Sequence, residues 1–472
     1  MRKSKFIRML IIIGILIIIF FFWSQSKEKD AEKEKPPIST KQTYENAWIV
    51  TIKDDKLIMY ADGSLREFEA KGIEPIQDTM ADVVVKEGKV KKISLKTEII
   101  GGKVLAIGED FIEIEGYGKV PLAPNYAFYK NYENFEEIDW TGILVGYEGQ
   151  NFIVGNGQIC GAIIIAPIVA KNIRVLIMTD NYQDNYHKGV KLTSASPFSI
   201  DYKGGIKTYE AGEIIEFTAE SDILKDGRII ISPMEDDKMS ILSIERGYGV
   251  PYYRGRLEIS KEGENIVIIN ELSLEEYLYS VVPSEMPPTY GLEALKAQAV
   301  CARSYAYKHM LKNSLSMLGA HVNDSAKYQV YNNLPEHELS TKAVDETMGQ
   351  IMVSGEEVVE AYYFSTSCGH TTDADIWGSN VELSYISGKL LSDQSQVLDL
   401  TDENTFAAFI KDTSLDTFDS GFPWYRWHIT FALEDLTNLM NKNTGNTFAD
   451  EVKSIQVTKR GTGGIATELT VI

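Results

Sequence analysis

The hydrophobic pattern changes period several times along the chain, and each change marks an element. Met9 to Trp23 is an unbroken apolar run preceded by Arg2, Lys3, Lys5 and Arg8. As a helix this run spans about 22 Å, short of a hydrocarbon core of roughly 30 Å. Phe6, Ile7 and the neutral Ser24-Gln25-Ser26 lengthen it if Arg8 snorkels to the headgroups. The pattern predicts a transmembrane helix within residues 1–26, with the basic flank cytoplasmic and the remainder of the chain extracytoplasmic. A cleaved signal peptide is the alternative, but no small-residue cleavage site follows Trp23. The charged KEKDAEKEKPP that comes next reads as a tether, so residues 27–46 are a linker.

From Ala47 to Ala170, short β-branched runs alternate with Gly, Asp and Asn. Phe111-Ile112-Glu113-Ile114-Glu115 has period two, with one apolar and one charged face. The stretch predicts a small all-β domain over 47–170. A second β-rich segment starts near Lys171 with Ile173-Arg174-Val175-Leu176-Ile177 and continues to Leu257-Glu258-Ile259. The period then lengthens. Ser273-Leu274-Glu275-Glu276 has capping-box spacing, and the helix it opens is expected to stop at Pro283. A second helix places Leu292, Leu295, Ala299, Ala302 and Ala306 on one small, apolar stripe.

Glu285 is thereby expected in a stiff loop between two helices, beside Val281, Val282 and Met286. A carboxyl held among apolar neighbours has a raised pKa, as a general acid requires. A surface glutamate in a turn fits the same pattern, and the residues alone leave both open.

Composition narrows the classes. With 47 basic against 68 acidic side chains, a net charge of −21 and no local basic cluster beyond the N-terminus, the chain repels phosphate backbones, which disfavours nucleic acid as a partner. Its 472 residues suffice for two or three domains. Cys160, Cys301 and Cys368 are too few, and odd in number, for a disulfide framework; no CxxC or HExxH spacing occurs.

Three blocks then carry a resemblance. They are Leu274–Leu278, Val281-Val282-Pro283-Ser284-Glu285-Met286-Pro287, and Glu293–Ala306. Together with Gln329-Val330-Tyr331, Ala361–Thr371 and Trp377-Gly378, they resemble the SpoIID/LytB family. The resemblance implies a β-rich SpoIID-like catalytic domain with a helical insertion over 171–472; with the small all-β domain and the N-terminal transmembrane helix that the residue pattern predicts before it, the expected fold class is α+β. It implies a lytic transglycosylase that cleaves the β-1,4 bond from N-acetylmuramic acid to N-acetylglucosamine, leaving 1,6-anhydro ends. Glu285 matches the family's catalytic glutamate. Gln298, Arg303, Tyr305, Gln329, Tyr331, Ser365 and Ser367 match positions that line the sugar cleft or pin the fold. Expected partners are peptidoglycan glycan strands, the membrane through the N-terminal helix, a cell-wall amidase and a membrane scaffold. The LytB side of the family implies the alternative, a non-catalytic amidase enhancer or wall-binding scaffold.

Two departures from the family pattern bear on cofactors and length. Some relatives bind zinc through a His and Cys cluster before the Gln-x-Tyr block; here that block holds His321 without cysteine, so no cofactor is expected. Cys368 and His370 could form a pair but lack a third ligand. The chain also ends inside a strand pattern, Glu468–Ile472, where family members usually continue.

Overall fold

The computed structural model describes residues 41–132, 134–374, 383–393, 398–444 and 451–472. Trp377-Gly378, the predicted membrane helix and most of the linker lie outside the described residues. The fold class is corrected at this point: among the described residues no helix is long and apolar enough to cross a membrane, and the described protein is a β-rich α+β chain. The physical weakness of the expectation is its length, since Met9–Trp23 alone falls short of the bilayer core.

The chain folds as two compact units, Met1–Ser273 with His309–Tyr328, and Leu274–Lys308 with Gln329–Ile472. The first unit opens with a closed five-stranded barrel of Lys41–Lys53, Lys56–Ala61, Ser64–Glu69, Gln77–Lys86 and Lys89–Lys96. Period-two alternation sends Leu57, Met59 and Ala61 inward to meet Ile49 and Val83. In the first strand the register shifts between Tyr44 and Ala47, where Asn46 takes a left-handed φ of 54°. Asn46 tolerates that bulge because its N–H donates to Asp82 Oδ1 at 2.9 Å.

Strands between Glu98 and Ile164 form a second sheet whose apolar face buries Ile112, Ile114, Phe128 and Phe152. Glu113, expected on the charged face, is buried as well, because the Arg228 guanidinium grips both its oxygens at 2.8 Å. A third sheet runs in the order 205–209, 198–202, 229–233, 256–262, 265–273, 172–176 and 322–323. Its last two strands are parallel, pairing Val175 with Val322.

Between the second and third sheets lies a buried ionic network. Arg174 reaches Glu258 at 2.7 Å and also pairs with Glu271. Glu271 takes Arg256 at 2.8 Å and Lys103 at 2.6 Å, and Glu258 takes Arg228 at 2.7 Å. Burial alone would raise the Glu271 pKa; Arg174, Lys103 and Arg256 outweigh it and hold the group at about 2.

The second unit is built on helices: α1 (Leu274–Glu285), α2 (Leu292–Met310, whose last two residues belong to the first unit), α3 (Glu338–Glu346), α4 (Glu403–Lys411) and α5 (Leu433–Thr444). Small hairpins, Val353–Ser354 with Glu357–Val358 and Ile455–Arg460 with Ala466–Val471, accompany them. The stripe expected on α2 is real: Leu295, Ala299, Ala302 and Ala306 are wholly buried. α1 packs on α3, fastened by the Tyr279 hydroxyl donating to Asp345 at 2.7 Å.

Candidate active site

Glu285 is the last residue of α1, not a loop residue as the sequence suggested. Pro283 lies inside the final turn without ending it. A proline there forfeits only its own N–H bond, while the Met286 N–H still reaches the Val282 carbonyl at 2.9 Å. Ser284 helps by donating to the Ser280 carbonyl at 2.7 Å. The consequence is electrostatic: the carboxyl stands at the negative end of the helix dipole, which disfavours its anion.

The Glu285 side chain is largely withdrawn from water. Its Oε1 accepts the Val330 N–H at 2.7 Å, and the Tyr363 hydroxyl is its second partner. Burial pushes its pKa up, and these two neutral hydrogen bonds offset that only in part. Tyr363 is itself oriented. Gln329 Nε2 donates to the Tyr363 oxygen at 3.0 Å and to the Ala302 carbonyl at 3.2 Å, which leaves the phenolic proton for Glu285. Burial and the nearby Glu285 push the Tyr363 pKa upward, so it stays protonated. The Tyr277 hydroxyl completes the set by donating to Gln329 Oε1 at 3.2 Å.

The structure sorts the residues expected from sequence. Gln329 belongs to the hydrogen-bond chain on Glu285. Tyr331 is fully buried with its ring 4.9 Å from that of Tyr277, so it supports the site from behind. Arg303 is engaged by the protein: it pairs with Glu275 at 2.7 Å and donates to the Val344 and Gln350 carbonyls at 3.2 and 3.1 Å. It ties α2 to the start of α1 and the end of α3. Tyr305 is buried and meets Tyr362 edge-on at 6.0 Å. Gln298 is buried, and its Nε2 has no hydrogen-bond partner among the described residues. Ser367 donates to Asp419 from its hydroxyl at 2.6 Å and its N–H at 2.7 Å, whereas Ser365 is exposed.

Sequence reasoning gave no role to Tyr363 or to the Val330 amide. The signal for the amide was the Gln-x-Tyr alternation: with both side chains turned toward Tyr277, the intervening N–H faces Glu285. Tyr363 stood in a matched block but looked like any buried aromatic.

His321 lies in the first unit and is wholly buried. Its Nδ1 accepts the Arg174 N–H at 3.0 Å and its Nε2 donates to the Val145 carbonyl at 2.9 Å. Burial drives its pKa to about 4, so it is a neutral structural imidazole with both nitrogens occupied. Among the described residues no cluster of three or more His, Cys, Asp and Glu is arranged for a metal ion. The three cysteines form no disulfide.

Residues 262–353 match the stage II sporulation protein (SpoIID) family, and residues 373–472 match a domain of unknown function (DUF8618). The chain is 35% identical over 211 residues to an uncharacterized protein of Brachyspira hyodysenteriae, spanning 42% of this chain and 56% of that one. It is 37% identical over 123 residues to stage II sporulation protein D of Bacillus subtilis, spanning 23% of this chain and 36% of that one. It is 35% identical over 105 residues to the amidase enhancer of the same organism, spanning 22% of this chain and 14% of that one. The chain thus covers about half or less of the length of these curated relatives. Glu285, Gln329 and Val330 fall inside the matched segment and Tyr363 lies just beyond it, and through residues 262–353 the chain carries a domain of the SpoIID family.

Proposed function

We infer that the chain is a peptidoglycan lytic transglycosylase with Glu285 as its single acid and base. The observation that carries this reading is the Glu285 carboxyl, largely withdrawn from water at a helix C-terminus and, among the described residues, hydrogen-bonded by the neutral Val330 N–H and Tyr363 hydroxyl, with its pKa raised. In the proposed reaction the Glu285 proton goes to the bridging oxygen as the C1–O bond breaks. The carboxylate so formed takes the proton of the muramyl 6-hydroxyl as O6 bonds to C1. The carboxyl ends as it began, no water is consumed, and one strand ends in a 1,6-anhydro ring. One carboxyl suffices, unlike the paired carboxylates of hydrolases. Tyr363 and the Val330 N–H steady the anion between the two transfers.

The test is digestion of purified glycan, with and without stem peptides, by the full chain and a Glu285→Gln variant. Mass spectrometry should find 1,6-anhydro ends from the wild type and almost none from the variant; equal cleavage by the two would remove Glu285 from the reaction. The amidase-enhancer similarity favours a second reading, in which the chain binds the wall and raises the activity of an amidase. Folded wild-type chain that cleaves nothing yet speeds a wall amidase would establish that reading instead.

A further inference from the structure

The segment after α4 exposes an unusual amount of aromatic surface on a firmly built loop. Trp424 and Trp427 are 72% and 67% exposed, while Tyr425 and Arg426 between them are turned inward. The Arg426 guanidinium lies 4.7 Å from the ring centre of Phe409 on α4 and donates to the carbonyls of Asp412 at 2.5 Å and Cys368 at 3.2 Å. The Tyr425 hydroxyl meets Thr417 Oγ1 at 2.9 Å. Gly369, at φ 100°, makes room for it: a Cβ there would sit 2.9 Å from the tyrosine oxygen. Fixing the inner pair of residues is what presents the outer two indoles to solvent. Exposing two large rings on a held scaffold gains nothing for folding and marks a binding surface.

The loop is fastened to a segment that is close in sequence to the candidate site. Tyr363 bonds Glu285, and Cys368, whose carbonyl Arg426 holds, follows it at a distance of at most about 18 Å along the chain. Ser367 is bound to Asp419 on the same loop at 2.6 Å. Charge then selects the ligand. Between Asp412 and Asp435 the sole Lys or Arg is Arg426, whose guanidinium is occupied by carbonyls, whereas Asp412, Asp416, Asp419, Glu434 and Asp435 are acidic. A bilayer-seeking surface pairs its Trp with Lys and Arg, so this composition disfavours an anionic lipid surface. The apolar ring faces of a β-linked sugar chain suit two exposed indoles.

Resting on the reading of Glu285 given above, we propose that Trp424 and Trp427 form a stacking platform for a β-1,4-linked N-acetylhexosamine chain, extending glycan binding beyond the sugars at Glu285 and favouring long strands. The platform lies in residues 373–472, outside the segment matched to the SpoIID family. The experiment uses the full chain carrying Glu285→Gln, titrated with the hexamer and dimer of β-1,4-linked N-acetylglucosamine, by tryptophan fluorescence and calorimetry. Adding Trp424→Ala and Trp427→Ala should weaken hexamer binding roughly tenfold and leave dimer binding unchanged. That result supports the platform even if the wild-type chain cleaves nothing, an outcome that would sink only the lyase reading. Hexamer affinity unaffected by the two substitutions, or hexamer and dimer affinity falling together, would overturn it. So would a parent chain that ignores the hexamer but binds neutral phosphatidylcholine vesicles through the two tryptophans.

Discussion

Glu271 in the first unit is buried and Glu285 in the second is largely withdrawn from water, yet their surroundings drive them in opposite directions. Glu271 meets Arg174, Arg256 and Lys103, and stays ionised down to about pH 2. Glu285 meets a backbone amide and a phenol, and its pKa rises. In the first region the desolvation cost is offset by cations and the acid serves the fold. In the second it is left largely uncompensated, as an acid that must give up and recover a proton requires.

The largest expected effect comes from breaking the first region. Arg174→Met leaves Glu258 and Glu271 buried with fewer cations, and should cost about 3–5 kcal/mol in urea unfolding. A loss under about 1 kcal/mol would mean that water already screens the network. Acid should act in the same direction: the stability that Glu271 gains from a lowered pKa is present above the unfolded value of 4.5 and is lost as pH falls toward about 2.

Glu285→Gln should do the reverse. Activity should drop by roughly 10²–10⁴-fold, the range for a general acid, without loss of stability. Because the folded-state pKa of Glu285 is raised, its own contribution to wild-type stability is greatest below the unfolded pKa and declines as pH rises through the folded one. The variant escapes that decline, so its advantage in Tm should grow between pH 4 and pH 7. A variant that melts earlier at neutral pH would place Glu285 among the structural acids.

Tyr363→Phe sharpens the contrast more gently. Removing a bond that favours the anion, worth about 1 kcal/mol, should lift the Glu285 pKa by less than about one unit. The alkaline limb of the pH–rate profile should move upward and kcat should fall. An unmoved limb with lower kcat would make Tyr363 a packing residue. The smallest change is expected of Ser284→Ala. Ser284 stands beside Glu285, yet its oxygen serves the Ser280 carbonyl and the Asn333 and Leu334 amides at 2.7, 3.2 and 3.2 Å. It should cost about 0.5–1.5 kcal/mol in thermal unfolding and leave the pH profile in place.

Periodicity made the local elements legible. The α2 stripe was readable because helical spacing repeats, and the strand at Phe111–Ile114 because alternation does. Arg174 was not. In Ile-Arg-Val-Leu-Ile it reads as an outward charge, since its partners Glu258 and Glu271 lie 84 and 97 residues away. Glu113 misled for the same reason, its partner Arg228 being 115 residues distant. Pro283 was read as a helix stop because the rule concerns helix interiors, and the last turn tolerates the missing bond. Glu285 itself emerged from its sequence motif, while the chemistry of its setting depends on Val330 and Tyr363, which no local pattern joins to it.

The most direct test is the titration of Glu285 in the full chain by carboxyl ¹³C NMR, its resonance assigned by its disappearance in Glu285→Gln. The account predicts a midpoint above the ordinary glutamate value of 4.5. A midpoint at or below that value would contradict it, because a carboxyl already ionised under mildly acidic conditions is no reserve of protons for the bridging oxygen.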